Sequence, residues 1–253
     1  MRSPANADFL CPHANTTCTK FNRTLGEPVP VCSVFKKGRL GSTPQDGPPV
    51  CICPVRFYEA DLVGDVVREC WVGKKPQTFH TVYEVGMEKF GKVDMVIADV
   101  IGKPKRIGTF LPVELQAVDI TGSYLPIYEA HILGKKLVKP STYNFNWANV
   151  RKRFISQLIA KGYYCHHWDT RIVAVVQEEL FDQFNSHAKI TETKLADSNI
   201  VFMLYQFSKG RGGSWSLGLK RVVPTTHTQV MQSILYERPP SRTKFEKKIL
   251  ERL

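Results

Sequence analysis

The run Phe110-Leu111-Pro112-Val113-Glu114-Leu115-Gln116-Ala117-Val118 constrains this chain most, because it sets two polar side chains into a strand that should be apolar. Its β-rich start reads as a buried strand, entered near Pro112 and closed by the turn at Thr121-Gly122-Ser123. Successive strand side chains point to opposite faces. Glu114 and Gln116 therefore emerge together, with Val113, Leu115 and Ala117 behind them. A carboxylate in such a place costs roughly several kcal/mol unless a cation or hydrogen-bond donors compensate it. A second acid, Asp94, lies in the preceding strand-like run Gly91-Lys92-Val93-Asp94-Met95-Val96-Ile97-Ala98. Two carboxylates on adjacent strands, with a polar neighbour two residues on, are the donors of a divalent-metal pocket. The bland alternative is a salt-bridged strand pair beside Lys92 or Arg106.

Length and charge narrow the partners. A chain of 253 residues suits one substantial domain with an appended module. Lysine and arginine total 35 against 23 acids, a formal charge of +12 that favours a polyanion such as DNA. No apolar run is long enough to span a membrane. The start, Met1-Arg2-Ser3-Pro4-Ala5-Asn6, lacks the apolar core of a signal peptide, so a cytoplasmic protein with reduced cysteines is expected.

Five of the seven cysteines crowd into the first 53 residues: Cys11, Cys18, Cys32, Cys51 and Cys53. An odd total without a secretion signal argues against a disulfide framework. Crowded thiols in a reducing compartment point to a thiolate metal site, against the plainer reading of cysteines buried as small hydrophobes.

Residues 1–56 read as an irregular arm, broken by Gly38, Gly41, Pro44, Gly47, Pro48 and Pro49. From Tyr58 to Trp71 the pattern turns helical, with Leu62, Val63, Val66, Val67 and Cys70 at three- and four-residue steps. Strands are expected near 79–88, 92–100 and 107–118, a helix near 147–162 and a strand over 171–176. A helix over 177–186, strands near 200–207 and 214–223 and two final helices complete the reading.

The order Asp94, then Glu114-x-Gln116, resembles the PD-(D/E)xK nuclease signature, with Val93 in place of the proline and Gln116 in place of the lysine. Within that superfamily the chain is similar to the NotI-type restriction endonucleases. The likeness takes in the block Glu114-x-Gln116-x-x-Asp119-x-x-Gly122-Ser123-Tyr124 and the helical run Asn149-Val150-x-Lys152-Arg153-x-x-x-Gln157. It extends to four cysteine contexts: Cys11-Pro12, Cys18, Val31-Cys32-x-Val34 and Cys53-Pro54-x-Arg56. It covers residues 11–165.

This resemblance implies an α+β fold, a mixed sheet flanked by helices with an αβββαβ core. A nuclease domain of residues 57–253 would follow the arm of residues 1–56. Asp94 and Glu114 would bind catalytic Mg²⁺, with Gln116 completing the catalytic trio. Glutamine can orient a water but cannot carry charge or act as a base, which shifts the electrostatic load to the metal. Gln157 and Lys152 would lie at the active site or on phosphate. Cys11, Cys18, Cys32 and Cys53 would hold a structural iron or zinc ion, leaving Cys51 outside the set. The implied activity is a type II restriction endonuclease, cutting double-stranded DNA as a homodimer at a GC-rich palindrome. Its setting would be a prokaryotic cytoplasm, with a genetically paired DNA methyltransferase.

Basic loops offer DNA contacts at Lys103-Pro104-Lys105-Arg106, at Lys135-Lys136 and at Lys209-Gly210-Arg211, with Arg151 added from the helix. Asp61, Asp65 and Glu69 form an acidic stripe that reads as a solvated helix face. Cys165, His166 and His167 read as a turn beside a buried aromatic edge of Tyr163, Tyr164 and Trp168, and not as a metal cluster. Two rival functions share these features: a metal-stapled DNA-binding protein that does not cut, and a repair or recombination nuclease on the same core.

Overall fold

A computed structural model describes residues 9–22, 26–36, 47–134, 136, 141–235 and 241–253. Lys135 and the stretch from Gly38 to Pro44 lie outside the described residues. A six-stranded sheet forms the centre, its strands in sequential order: β1 His80–Gly86, β2 Lys92–Ile101, β3 Arg106–Gln116, β4 Ile172–Gln177, β5 Ile200–Lys209 and β6 Trp215–Thr225. The first three form an antiparallel meander, β4 joins β3 in parallel, β5 joins β4 in parallel, and β6 returns antiparallel. The helices are α1 Leu62–Cys70, α2 Leu125–Ile132, α3 Trp147–His167, α4 Glu178–Ala188, α5 His227–Leu235 and α6 Arg242–Leu250.

Strand alternation divides the core in two. Ile172, Ala174 and Val176 join Ile200, Phe202 and Leu204 beneath α3, α4 and α5. Val173 and Val175, with Val201, Met203 and Tyr205, face the other way onto Phe57 and α1. Both central strands are buried on both faces, which is why their sequences run apolar without a break. The expected α+β architecture is therefore present.

Four local readings change. Residues 125–132 form a helix where none is expected. Helix α3 runs through Gly162 to His167, so His166 and His167 sit on an exposed last helical turn. The aromatic edge there is not buried, since Tyr163 is 48 % and Trp168 45 % exposed. In the acidic stripe, Asp61 caps α1 through the Gly64 amide and Glu69 pairs with Arg68. Asp65, however, is buried and accepts a hydrogen bond from Tyr205 Oη at 2.9 Å.

The amino-terminal arm folds onto this body. Gln177, buried at the end of β4, accepts from the Cys51 amide at 2.7 Å and donates to the Pro49 carbonyl at 2.9 Å. Val118 donates its amide to the Cys51 carbonyl at 2.9 Å. Val29, Val31, Val34 and Ile52 share a small apolar cluster with Tyr128 of α2 and Tyr143. No helix among the described residues is long and apolar enough to cross a membrane.

Candidate functional site

Asp94 and Glu114 meet where two strands part. The β2–β3 ladder pairs Met95 with Val113 and goes no further in that direction. Beyond it, the Asp94 carboxylate takes the Leu115 amide at 2.7 Å in place of a backbone partner. Glu114 and Gln116 alternate with Val113 and Leu115, which pack on the α1 side, so the two polar side chains face α3. The parallel register with β4 puts Glu114 level with Ala174.

Burial is the main force on both acids. It raises the Asp94 carboxyl above its usual range, and Glu84 adds to the rise, while the Leu115 amide and Lys161 oppose it. Glu114 is pushed up to about 7 by burial, against the ion pair that Lys161 makes with it. Asp94 and Glu84 both raise Glu114 as well, as like charges must. Tyr58 stands at the rim, its phenol raised to about 12 by burial and by the charges of Tyr83 and Asp94.

The cation at Glu114 is neither Lys92 nor Arg106. Lys92 pairs at 3.5 Å with Glu84 on the surface, and Arg106 lies at the far end of β3. The partner is Lys161 of α3, which is 2 % exposed and also donates to the Lys92 carbonyl at 2.8 Å. A signal for it exists in the chain. Phe154, Leu158, Lys161 and Cys165 recur at helical steps on the buried face of α3, so the lysine occupies a core position. Gln116 turns aside and donates its amide to the Ala117 carbonyl at 2.6 Å.

The other residues singled out from sequence are spread more widely. Asp119 accepts from the Asn149 side chain at 2.8 Å, and its carbonyl accepts from the Asn146 amide at 2.8 Å. It thus clasps the start of α3 to the exit of β3. Gln157 is exposed one helical turn before Lys161, and Lys152 is exposed nearer the helix start, with Arg151 half-buried beside it. Lys105 and Arg106 occupy the exposed β2–β3 hairpin. At about 3.3 Å per residue, that hairpin is roughly 25 Å from Glu114 along β3. Lys209 and Arg211 lie on the exposed β5–β6 hairpin, past the opposite end of the sheet.

In the arm, all of the cysteines are free thiols. Cys32 donates a side-chain hydrogen bond to Cys53, which raises Cys32 and lowers Cys53. Cys11 and Cys18 are within electrostatic reach of that pair. Lys20 is half-buried among them and donates to the Val31 and Ile52 carbonyls at 3.0 and 3.2 Å. Cys51 turns away and donates its thiol to the Cys53 carbonyl. The four thiols are neighbours without forming a closed shell: among the described residues, no three His, Cys, Asp or Glu side chains are close enough to hold one ion. Arg56, from the Cys53-Pro54-x-Arg56 context, reaches from His13 at 3.0 Å to the Trp215 carbonyl at 3.3 Å and so ties the arm to β6.

No curated protein matches the chain. The family model described as restriction endonuclease NotI matches residues 3–217, spanning the arm, the two acids and the sheet as far as β6. It reaches well beyond residue 165, where the sequence likeness stops. With that match over most of its length, the chain belongs to the NotI restriction endonuclease family, and its activity is that of a type II site-specific deoxyribonuclease.

Proposed function

We propose that this enzyme hydrolyses double-stranded DNA with Mg²⁺ held by Asp94 and Glu114. The observation that carries the reading is the pair of largely buried carboxylates at the parting of β2 and β3, both raised by burial and both served by the same lysine, Lys161. Such oxygen donors fit a hard divalent cation that keeps some of its waters. When bound, Mg²⁺ supplies an activated water and neutralises charge on the attacked phosphate.

The chain's own residues set the stage. The Leu115 amide fixes one oxygen of Asp94 and so aims the other. Gln116 can swing its amide from the Ala117 carbonyl to orient a water, without adding charge. Gln157 and Lys152, exposed on α3, are available to the DNA backbone. Arg151, Lys105, Arg106, Lys209 and Arg211 are candidates for phosphate or base-edge contacts.

The arm, residues 1–56, carries a structural iron or zinc ion on Cys11, Cys18, Cys32 and Cys53, and the nuclease domain occupies residues 57–253. Support comes from Cys11 and Cys18 lying within electrostatic reach of the Cys32–Cys53 pair, and from the hydrogen bond that holds Cys53 toward its thiolate, the form a metal binds. Family membership supports a homodimer in a prokaryotic cytoplasm, paired with a DNA methyltransferase. Twofold symmetry gives each subunit one strand of a GC-rich palindrome to cut.

Purified protein incubated with Mg²⁺ and a long duplex of known sequence should yield discrete bands. A smear or structure-dependent nicks would favour a repair nuclease, and intact DNA a binding protein. Asp94→Ala and Glu114→Ala should each lower cleavage by at least about 10²-fold, because charge stabilisation at the transition state is lost. Specific binding should persist. Near wild-type cutting by either variant would end the assignment.

A further inference from the structure

An ammonium buried at the core face of a helix is costly unless it is well paired. Lys161 lies there between Leu158 and Cys165 and has two acceptors, Glu114 Oε1 and the Lys92 carbonyl. Both sit at the parting of β2 and β3. Its charge also favours ionised Asp94, so it serves both carboxylates. The strand cannot supply this charge itself, because Gln116 is neutral and engaged with the Ala117 carbonyl. Helix α3 delivers it instead.

We propose that Lys161 is the active site's resident cation, a positioning residue that holds Glu114 in the metal-free enzyme and yields it when a divalent cation binds. Metal uptake is then an exchange at Glu114, an ammonium for a metal ion. Two cations cannot share one carboxylate oxygen at contact distance in a poorly solvated pocket without strong repulsion. The Lys92 carbonyl gives the displaced ammonium an acceptor inside the pocket, so Lys161 need not reach solvent. This inference rests on the reading of Asp94 and Glu114 as metal ligands.

The test is Ca²⁺ binding to the full-length protein without DNA, measured by titration calorimetry in buffer alkaline enough to keep both acids ionised. Lys161→Met keeps the stem and removes the charge, and it should bind Ca²⁺ about tenfold more tightly than wild type, the scale of one lost charge competitor. Lys161→Arg restores a competing cation and should return the affinity toward wild type. A merely structural lysine predicts the opposite for the Met variant, weaker binding through a disturbed pocket. Equal or weaker binding by folded Lys161→Met would overturn the exchange. If that variant does not fold, the side-chain ammonium resonances of ¹⁵N-lysine-labelled wild type decide the matter. A protected ammonium that shifts on Ca²⁺ addition supports the exchange, and an unmoved one refutes it. Glu114→Gln should lose most Ca²⁺ affinity. Wild-type binding by that variant would instead sink the ligand assignment, which separates the two failures.

Discussion

Glu114 concentrates the physics of the site in one side chain. Its strand neighbours put it on the sheet face beneath α3, burial raises its carboxyl to about 7, and Lys161 opposes that rise. A group whose pKa is higher folded than unfolded takes up a proton on folding. Its contribution to stability is fully present below the unfolded value of about 4.5 and is lost as pH rises through about 7. Metal-free wild type should therefore lose stability over that window relative to Glu114→Gln, by at most roughly 3 kcal/mol. Urea unfolding of both proteins at mildly acidic and mildly alkaline pH measures this. A constant difference would mean that Lys161 already compensates the charge. Much of this site is legible in the sequence, because period-two alternation alone places Glu114 and Gln116 together and Asp94 on the next strand. The partner is harder to read. It invites a search on neighbouring strands, at Lys92 and Arg106, whereas the compensating charge sits on a helical core stripe with Phe154 and Leu158.

Elements were legible where their apolar period was clean. The strands fall close to their expected spans and α3 begins where expected, while α2 escapes because Leu125-Pro126-Ile127-Tyr128 presents apolar groups all round and so has no stripe. Helix α3 is expected to stop at Gly162, yet that glycine serves packing. A Cβ there would lie 2.6 Å from Ile200 Cγ1, so any side chain at this point would force Ile200 on β5 to shift. Gly122 has a firmer reason. Its φ is +70°, and a Cβ would stand 2.4 Å from the Thr142 carbonyl oxygen, which is backbone and cannot step aside cheaply. The adjoining Ser123 carbonyl takes the Thr142 and Tyr143 amides, and its hydroxyl accepts from the Leu125 amide at the start of α2. Gly122→Ala should thus cost about 1–3 kcal/mol and lower the melting temperature by several degrees. It should also expose residues 120–134 to protease before the sheet unfolds. An unchanged melting curve would show that this crossing relaxes freely.

At the scale of the molecule, buried and half-buried links join the described residues of the arm to the sheet. Gln177 fastens Pro49 and Cys51, Arg56 spans from His13 to Trp215, and the cluster of Val29, Val31 and Ile52 is completed by Tyr128 and Tyr143. None of these pairings is written in local sequence, since each spans long separations that no periodicity reports. The ion proposed for the arm would add its binding energy to the arm's folding energy. Replacing Cys53 by serine should remove the thiol that Cys32 bonds and that faces Lys20. Metal analysis should then fall from about one tightly held iron or zinc per chain to none. Residues 9–22 and 26–36 should become protease-sensitive, while the 49–53 segment, anchored through Gln177, stays with the sheet and the nuclease body remains folded. Cys51→Ser should keep the metal, because that thiol turns to the Cys53 carbonyl and not toward the other three. Cys165→Ser should keep it too, since α3 buries Cys165 in the main core. If wild type carries no metal and its arm nonetheless resists protease, Lys20 and the Arg56 bridge hold the arm without an ion, and the four thiols are packing alone.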